Sequence, residues 1–148
     1  MSKFTLIRHG QASFGADNYD QLSDIGREQA RAVGDYFFVQ NTQFDLIVHG
    51  ALSRQTETAQ LMAKHMKHDA ELVLDDRANE FDSERLLKCY IPKVAELSEK
   101  DSALIYSTET PWFASNEHFE RIFRKAVQLW QLDNNCDFES WNEFKQRI

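Results

Sequence analysis

The stretch Phe4-Thr5-Leu6-Ile7-Arg8-His9-Gly10-Gln11-Ala12-Ser13 decides how the rest of the chain is read. Phe4 to Ile7 is a short apolar run that predicts a buried strand, and it stops at a cation, an imidazole and a glycine. In open α/β sheets, ligands bind in the crevice beyond the carboxyl ends of the strands. A strand ending in Arg8-His9-Gly10 brings to that crevice a positive charge, a nucleophile and a backbone that lets an anion come close.

The pattern continues downstream. In Tyr19-Asp20-Gln21-Leu22-Ser23-Asp24-Ile25-Gly26, Ser23 predicts a helix N-cap. Leu22, Ile25, Ala30, Val33 and Phe37 then recur at helical spacing to about Phe38. Gly26 and Gly34 lower helix propensity but allow close packing against a sheet. Phe44-Asp45-Leu46-Ile47-Val48 predicts a second strand, ending at His49-Gly50. A helix from about Ser53 to Lys67 would turn Leu52, Thr56, Ala59, Ala63 and Met66 inward, and Leu72-Val73-Leu74 predicts a third strand. Strands alternating with helices imply parallel pairing and right-handed crossovers.

The second half reads differently. Phe81 to Tyr90 predicts a helix that Pro92 interrupts or restarts. Residues 99 to 116 are polar and irregular, with Thr110-Pro111 as a turn and Trp112 and Phe113 as a hydrophobic plug or the lining of a substrate mouth. Asn116 to Leu132 is strongly amphipathic, with Phe119, Ile122, Phe123, Ala126, Val127 and Trp130 in one stripe. Ser140 and Glu143 have the spacing of a capping box that opens a last helix containing Trp141, Phe144 and Ile148.

Length and composition bound the function. The chain has 148 residues, enough for one domain with a real core, and 42% hydrophobic with 12% aromatic residues argues for a folded globule. Seventeen basic against 24 acidic residues leave a formal charge of −7, which disfavours non-specific contact with nucleic acid or anionic membrane. A bound anion would therefore need a local cationic pocket. No apolar run approaches the roughly 18 residues of a transmembrane helix. A first strand at residue 4 leaves no room for a signal peptide. Cys89 and Cys136 show no metal or redox spacing and read as reduced structural cysteines of a cytoplasmic protein.

Two further side chains fit the first loop. Arg54 falls at the start of the second helix, where backbone N–H groups and the helix dipole already favour an anion and a guanidinium fork matches two phosphate oxygens. Glu80 follows the third strand and so reaches the same face. A partly buried carboxyl beside bound phosphate would hold its proton more tightly, as a general acid must.

Three segments together resemble the histidine phosphatase superfamily, which includes the cofactor-dependent phosphoglycerate mutases. They are Leu6-Ile7-Arg8-His9-Gly10-Gln11-Ala12, Leu22-Ser23-Asp24-Ile25-Gly26-Arg27-Glu28-Gln29-Ala30 and Ala51-Leu52-Ser53-Arg54-Gln55-Thr56-Glu57-Thr58-Ala59. The likeness covers roughly residues 3 to 82, and Glu139 to Phe144 resembles the family's helix before its last core strand. It implies a three-layer α/β/α fold with a mostly parallel sheet, in one domain over residues 1–148. Residues 1–82 would carry the motifs, and residues 83–148 would form a helical insertion over the strand ends together with the C-terminal helix.

The resemblance also implies roles. His9 would be the nucleophile that becomes phosphohistidine, and Arg8 and Arg54 would hold the phosphoryl oxygens, with no metal and no cofactor. Glu80 would protonate the leaving alkoxide and then activate water. Gln11 and Ser13 would line the phosphate pocket. The family also carries a second catalytic histidine in a His-Gly step after a late core strand. This sequence stops at Ile148, where that strand would begin, so two expectations stand. The chain is truncated relative to its family, or His49, also at a strand end, supplies the second imidazole. An unpaired Phe4–Ile7 edge would invite a homodimer. The expected function is hydrolysis of a phosphorylated small molecule or phosphoprotein. The alternatives are a mutase-type phosphotransferase and an inactive phosphate-binding module. Lys88, Lys93, Arg121 and Arg124 are scattered through the insertion, without the dense basic set that a mutase, which must retain its substrate, would need.

Overall fold

Ser23 starts the first helix as predicted. Its hydroxyl accepts from the Gly26 N–H, and α1 runs Asp24–Val39. The computed structural model describes residues 3–13, 20–106, 115–133 and 135–148. Beyond α1 come β1 (Leu46–His49), α2 (Ser53–Met66) and β2 (Glu71–Leu74), and then a 3-10 turn over Asp76–Ala78. The strands pair in parallel, with Leu46 opposite Glu71 and His49 opposite Leu74, and α2 makes the crossover between them. The chain is therefore α/β with parallel strands, as the alternating pattern implies. By its contacts it divides into two units, Met1–Glu80 and Phe81–Ile148.

In the first unit, Ile47 from β1 and Ala59, Met62 and Met66 from α2 form the buried core, with Val33 and Phe37 of α1 packed against it. Gly34 lies where α1 crosses α2: a Cβ there would collide with the Met62 carbonyl and the His65 side chain. Its role is helix–helix contact, not the helix–sheet contact expected. Ile25, read as part of the inner stripe, is 58% exposed.

Phe4 to Ile7 departs from the predicted strand. Phe4 is 90% exposed and Leu6 99%, and no described residue pairs with their backbone. Apolar composition supplies a preference for extended structure, but a strand exists only through a hydrogen-bonded neighbour. Described backbone pairing begins after His9. An isolated antiparallel bridge joins Ala12 to Leu22, and Ser23 N–H donates to the Gln11 carbonyl at 2.9 Å. These bonds hold the loop to the start of α1.

The regular elements described in the second unit are all helices: α3 (Ser83–Glu96), α4 (Glu99–Ile105), α5 (Asn116–Leu132) and α6 (Trp141–Arg147). Pro92 does not interrupt α3. A proline removes one backbone bond, but Tyr90, Val94 and Ala95 on either side are buried, and that packing carries the helix through. Part of the segment read as irregular is α4, capped by Ser98, whose hydroxyl accepts from the Asp101 N–H. The predicted Thr110-Pro111 turn and the Trp112 and Phe113 loop lie outside the described residues. α5 has the predicted bounds, and Ile122, Ala126 and Trp130 of its stripe are buried with Leu86, Tyr90 and Val94 of α3. Trp130 donates its indole N–H to the Glu139 carbonyl at 3.0 Å, and the Ser140–Glu143 capping box is formed.

The buried Asp101 is compensated by Arg121 at 2.8 Å and by Lys125. Removing either partner would leave a charge poorly compensated away from water. Cys89 and Cys136 are joined as a disulfide, with Cα atoms 6.4 Å apart, against the expectation of reduced thiols. Their separation of 47 residues says nothing about space, and the packing of the chain before α6 against α3 brings them together. The cysteines thus no longer speak for a reducing compartment. A clip over a loop of this length constrains the unfolded chain, so its reduction is expected to destabilise the second unit by about 2–4 kcal/mol. A thermal melt with and without dithiothreitol measures this, and superimposable curves would refute it.

Candidate active site

Gly10 sits at a close approach. A Cβ on it would strike the Gly26 carbonyl, and a Cβ on Gly26 would strike the Gln11 carbonyl, so the loop and the first turn of α1 meet backbone to backbone. From the other side, the Gly10 N–H donates to Thr58 Oγ1 at 3.0 Å, and that hydroxyl donates to the Arg54 carbonyl at 2.7 Å. His9 is thereby held between α1 and α2.

The imidazole is fixed at both nitrogens. Nδ1 lies 2.6 Å from the Gly10 carbonyl, and since a carbonyl only accepts, Nδ1 carries a hydrogen. Nε2 faces Glu80 Oε1 at 3.1 Å. The other Glu80 oxygen, Oε2, accepts from Arg54 Nη2 at 2.9 Å. Glu80 reaches this position because the 3-10 turn after β2 returns the chain to the start of α2. There Gln55 Nε2 donates to the Ala78 carbonyl at 3.0 Å, and the Ala51 N–H donates to Asn79 Oδ1 at 2.6 Å. Arg54, 7% exposed, spends its remaining arm on Asp20, with Nη1 to Oδ1 at 2.7 Å.

These contacts set the charges. The hydrogen bond from Glu80 raises the His9 pKa above 6.5, outweighing the burial that opposes it. The same bond from His9, assisted by Arg54, holds Glu80 down at about 2 despite its partial burial. Held by His9 and Arg54, Glu80 is thus a carboxylate. With His9 protonated, three cations (Arg8, His9, Arg54) face two carboxylates (Asp20, Glu80), a surplus of one positive charge on a chain that is −7 overall.

Other predicted residues are placed less directly. Arg8 is exposed, has no ion pair among the described residues, and lines with His9 a cleft of about 400 Å³. His49 lines the same cleft, with Nδ1 2.8 Å from the Gly50 carbonyl. The Gln11 carboxamide oxygen accepts from Ser23, and Ser13 lies toward Asp24 and Arg27. Neither is hydrogen-bonded to His9, Arg54 or Glu80. The sequence reading missed Thr58 and Asp20. Thr58 had a signal, since it lies four residues after Arg54 on the same helix face. Asp20 had none beyond being acidic near a helix start.

The His9–Glu80 bond has a pH signature. His9 holds its proton more tightly folded than unfolded, so its stabilising share is complete below pH 6.5 and is lost as pH rises through the folded-state pKa. Glu80's share is complete above pH 4.5 and is lost as pH falls toward about 2. The pair therefore stabilises most between about pH 4.5 and 6.5. Glu80→Gln is expected to lower the His9 midpoint seen by proton NMR and to flatten stability across this window. An unmoved midpoint would refute the coupling.

The pattern of the histidine phosphatase superfamily (branch 1) matches residues 4–147. The serine/threonine-protein phosphatase Pgam5, mitochondrial, of Caenorhabditis briggsae is 34% identical over 64 residues, which are 43% of this chain and 22% of that protein. The chain thus aligns with less than a quarter of that relative's length. A solved structure of SixA from Agrobacterium tumefaciens is similar over 56% of each chain, with 23% identity and a TM-score of 0.46. With the pattern matched over nearly its whole length, the chain belongs to the histidine phosphatase superfamily.

Proposed function

We propose that the chain hydrolyses phosphomonoesters through a phosphohistidine on His9. The observation that carries this reading is the double fixation of the imidazole: Nδ1 is committed to a carbonyl, so Nε2 is the reactive nitrogen, and it faces a carboxylate that can take its proton. As the phosphoryl group enters, the Nε2 proton passes to Glu80. Nε2 then attacks phosphorus, the ester P–O bond breaks, and Glu80 returns the proton to the departing alkoxide. Water attacks phosphorus next and gives a proton to Glu80; the P–N bond breaks, releasing inorganic phosphate and returning the lone pair to Nε2. Arg54 and Arg8 hold the phosphoryl oxygens and stabilise their charge throughout.

The substrate is a phosphorylated small molecule or a phosphoprotein. Hydrolysis is favoured over mutase transfer because three of the four basic residues singled out in the insertion are already paired. Lys88 pairs with Glu84 and Lys93 with Asp133, each at 2.5 Å, and Arg121 pairs with Asp101. They are poor candidates for retaining a second anionic group.

His9→Ala is expected to reduce turnover of an aryl phosphate by about 10³-fold or more. Arg54→Ala is expected to reduce it by about 10²–10³-fold. Mass spectrometry of wild type stopped in mid-turnover should show one added, acid-labile phosphoryl group that His9→Ala lacks. Turnover that survives His9→Ala would sink the reading. The exposed Phe4 and Leu6, beside a backbone with no described ladder partner, further favour self-association through this edge. Light scattering should then report a dimer, and Leu6→Lys should dissociate it; a monodisperse monomer would count against self-association.

A further inference from the structure

Asp20 engages donors at the start of α2. Its Oδ2 accepts from the Ser53 backbone N–H at 2.8 Å, and its Oδ1 accepts from Arg54 Nη1 at 2.7 Å. A first-turn amide and a guanidinium arm are the groups that bind phosphoryl oxygens. A carboxylate spans them with two oxygens, as a phosphoryl group would with two of its three. The Asp20 side chain is one-third exposed, so water is at hand to receive it if it leaves.

We propose that Asp20 is a resident anion that occupies the phosphoryl cradle and is displaced from Ser53 and Arg54 when a phosphoryl dianion binds. This rests on reading His9 and Arg54 as the phosphoryl site. Shared occupancy is opposed by charge. A dianion beside both Asp20 and Glu80 would gather three anionic groups around one guanidinium, with like charges a few ångströms apart. Displacement resolves this. Without Asp20, three cations (Arg8, His9, Arg54) less one carboxylate (Glu80) leave a surplus of two, which matches a phosphomonoester dianion. Glu80 has no reason to leave with Asp20, because it holds the other arm of Arg54 and the His9 nitrogen.

The arrangement answers two needs. Between turnovers the carboxylate satisfies a guanidinium that is almost wholly buried, where an uncompensated charge would be costly. Burial of the Asp20 carboxyl opposes its ionisation, but the bonds from Ser53 and the charge of Arg54 prevail and keep it ionised, ready to be exchanged for another anion. During binding Asp20 acts as a threshold: a weakly charged ester does not repay its displacement, whereas a dianion does. Asp20 thereby discriminates by charge without touching the rest of the substrate.

The test is calorimetric titration of the full chain with inorganic phosphate, comparing wild type, Asp20→Asn, Asp20→Ala and Arg54→Ala, each checked for folding by circular dichroism. Neutralising Asp20 is expected to tighten phosphate binding about tenfold, since a charge-assisted bond no longer has to be broken first. Arg54→Ala is expected to abolish binding. If both Asp20 variants bind phosphate no tighter than wild type while Arg54→Ala binds none, displacement is overturned and the phosphoryl site stands. If folded wild type and both Asp20 variants bind no phosphate, the site reading and the proposal fail together.

Discussion

One guanidinium organises the first unit. Arg54 lies at the start of α2 and is nearly buried, so each of its arms needs an anionic or acceptor partner. One arm takes Glu80 from the turn after β2, and the other takes Asp20 from the chain before α1. The carbonyl of the same residue accepts from Thr58, which in turn holds the Gly10 amide. Segments separated by 26 and 34 residues are thus brought onto one residue. His9 inherits its position from this arrangement: its ring meets Glu80 on one side and its own loop carbonyl on the other.

The electrostatics follow from the same geometry. Two carboxylates beside one arginine would be a poor anion site if both stayed. One of them, however, faces His9, and the other bonds the first-turn amide and the guanidinium arm that a phosphoryl group would claim. The roles proposed for Glu80 in proton transfer and for Asp20 in occupancy come from which atoms each carboxylate touches. Both are acidic side chains near a helix start, and composition does not tell them apart. The second unit uses charge differently: Asp101 is buried against Arg121 and Lys125, an arrangement with structural but no evident chemical consequence.

Local rules read well where the cause is local. Ser23, Ser140 with Glu143, and the α5 stripe all act within one helical turn or along one helix face, and each appears where its spacing places it. Rules failed where the deciding partner is distant. Pro92 lies within a helix because packing on both sides outweighs one lost bond. Cys89 and Cys136 meet because the chain before α6 packs against α3, which no spacing of 47 residues announces. Gly34 serves a helix instead of a sheet, since a glycine reports a close approach without saying to what. Phe4 to Ile7 has the composition of a strand and no described ladder partner, and hydrogen bonds to a neighbour are what make a strand.

By itself the sequence determined the α/β class, the family, helices α1, α2, α5 and α6 with the caps at Ser23 and Ser140, and the choice of His9, Arg54 and Glu80 as candidates. Those properties depend on neighbours within a few residues or on motifs read as strings. Only the tertiary structure decided which nitrogen of His9 faces Glu80, that Glu80 is held as a carboxylate by His9 and Arg54, and that Asp20 and Thr58 adjoin them. Each of these depends on an atom-to-atom distance between chain segments far apart in sequence. Hydrogen bonds and charge interactions fall off over a few ångströms, and folding alone brings such segments that close.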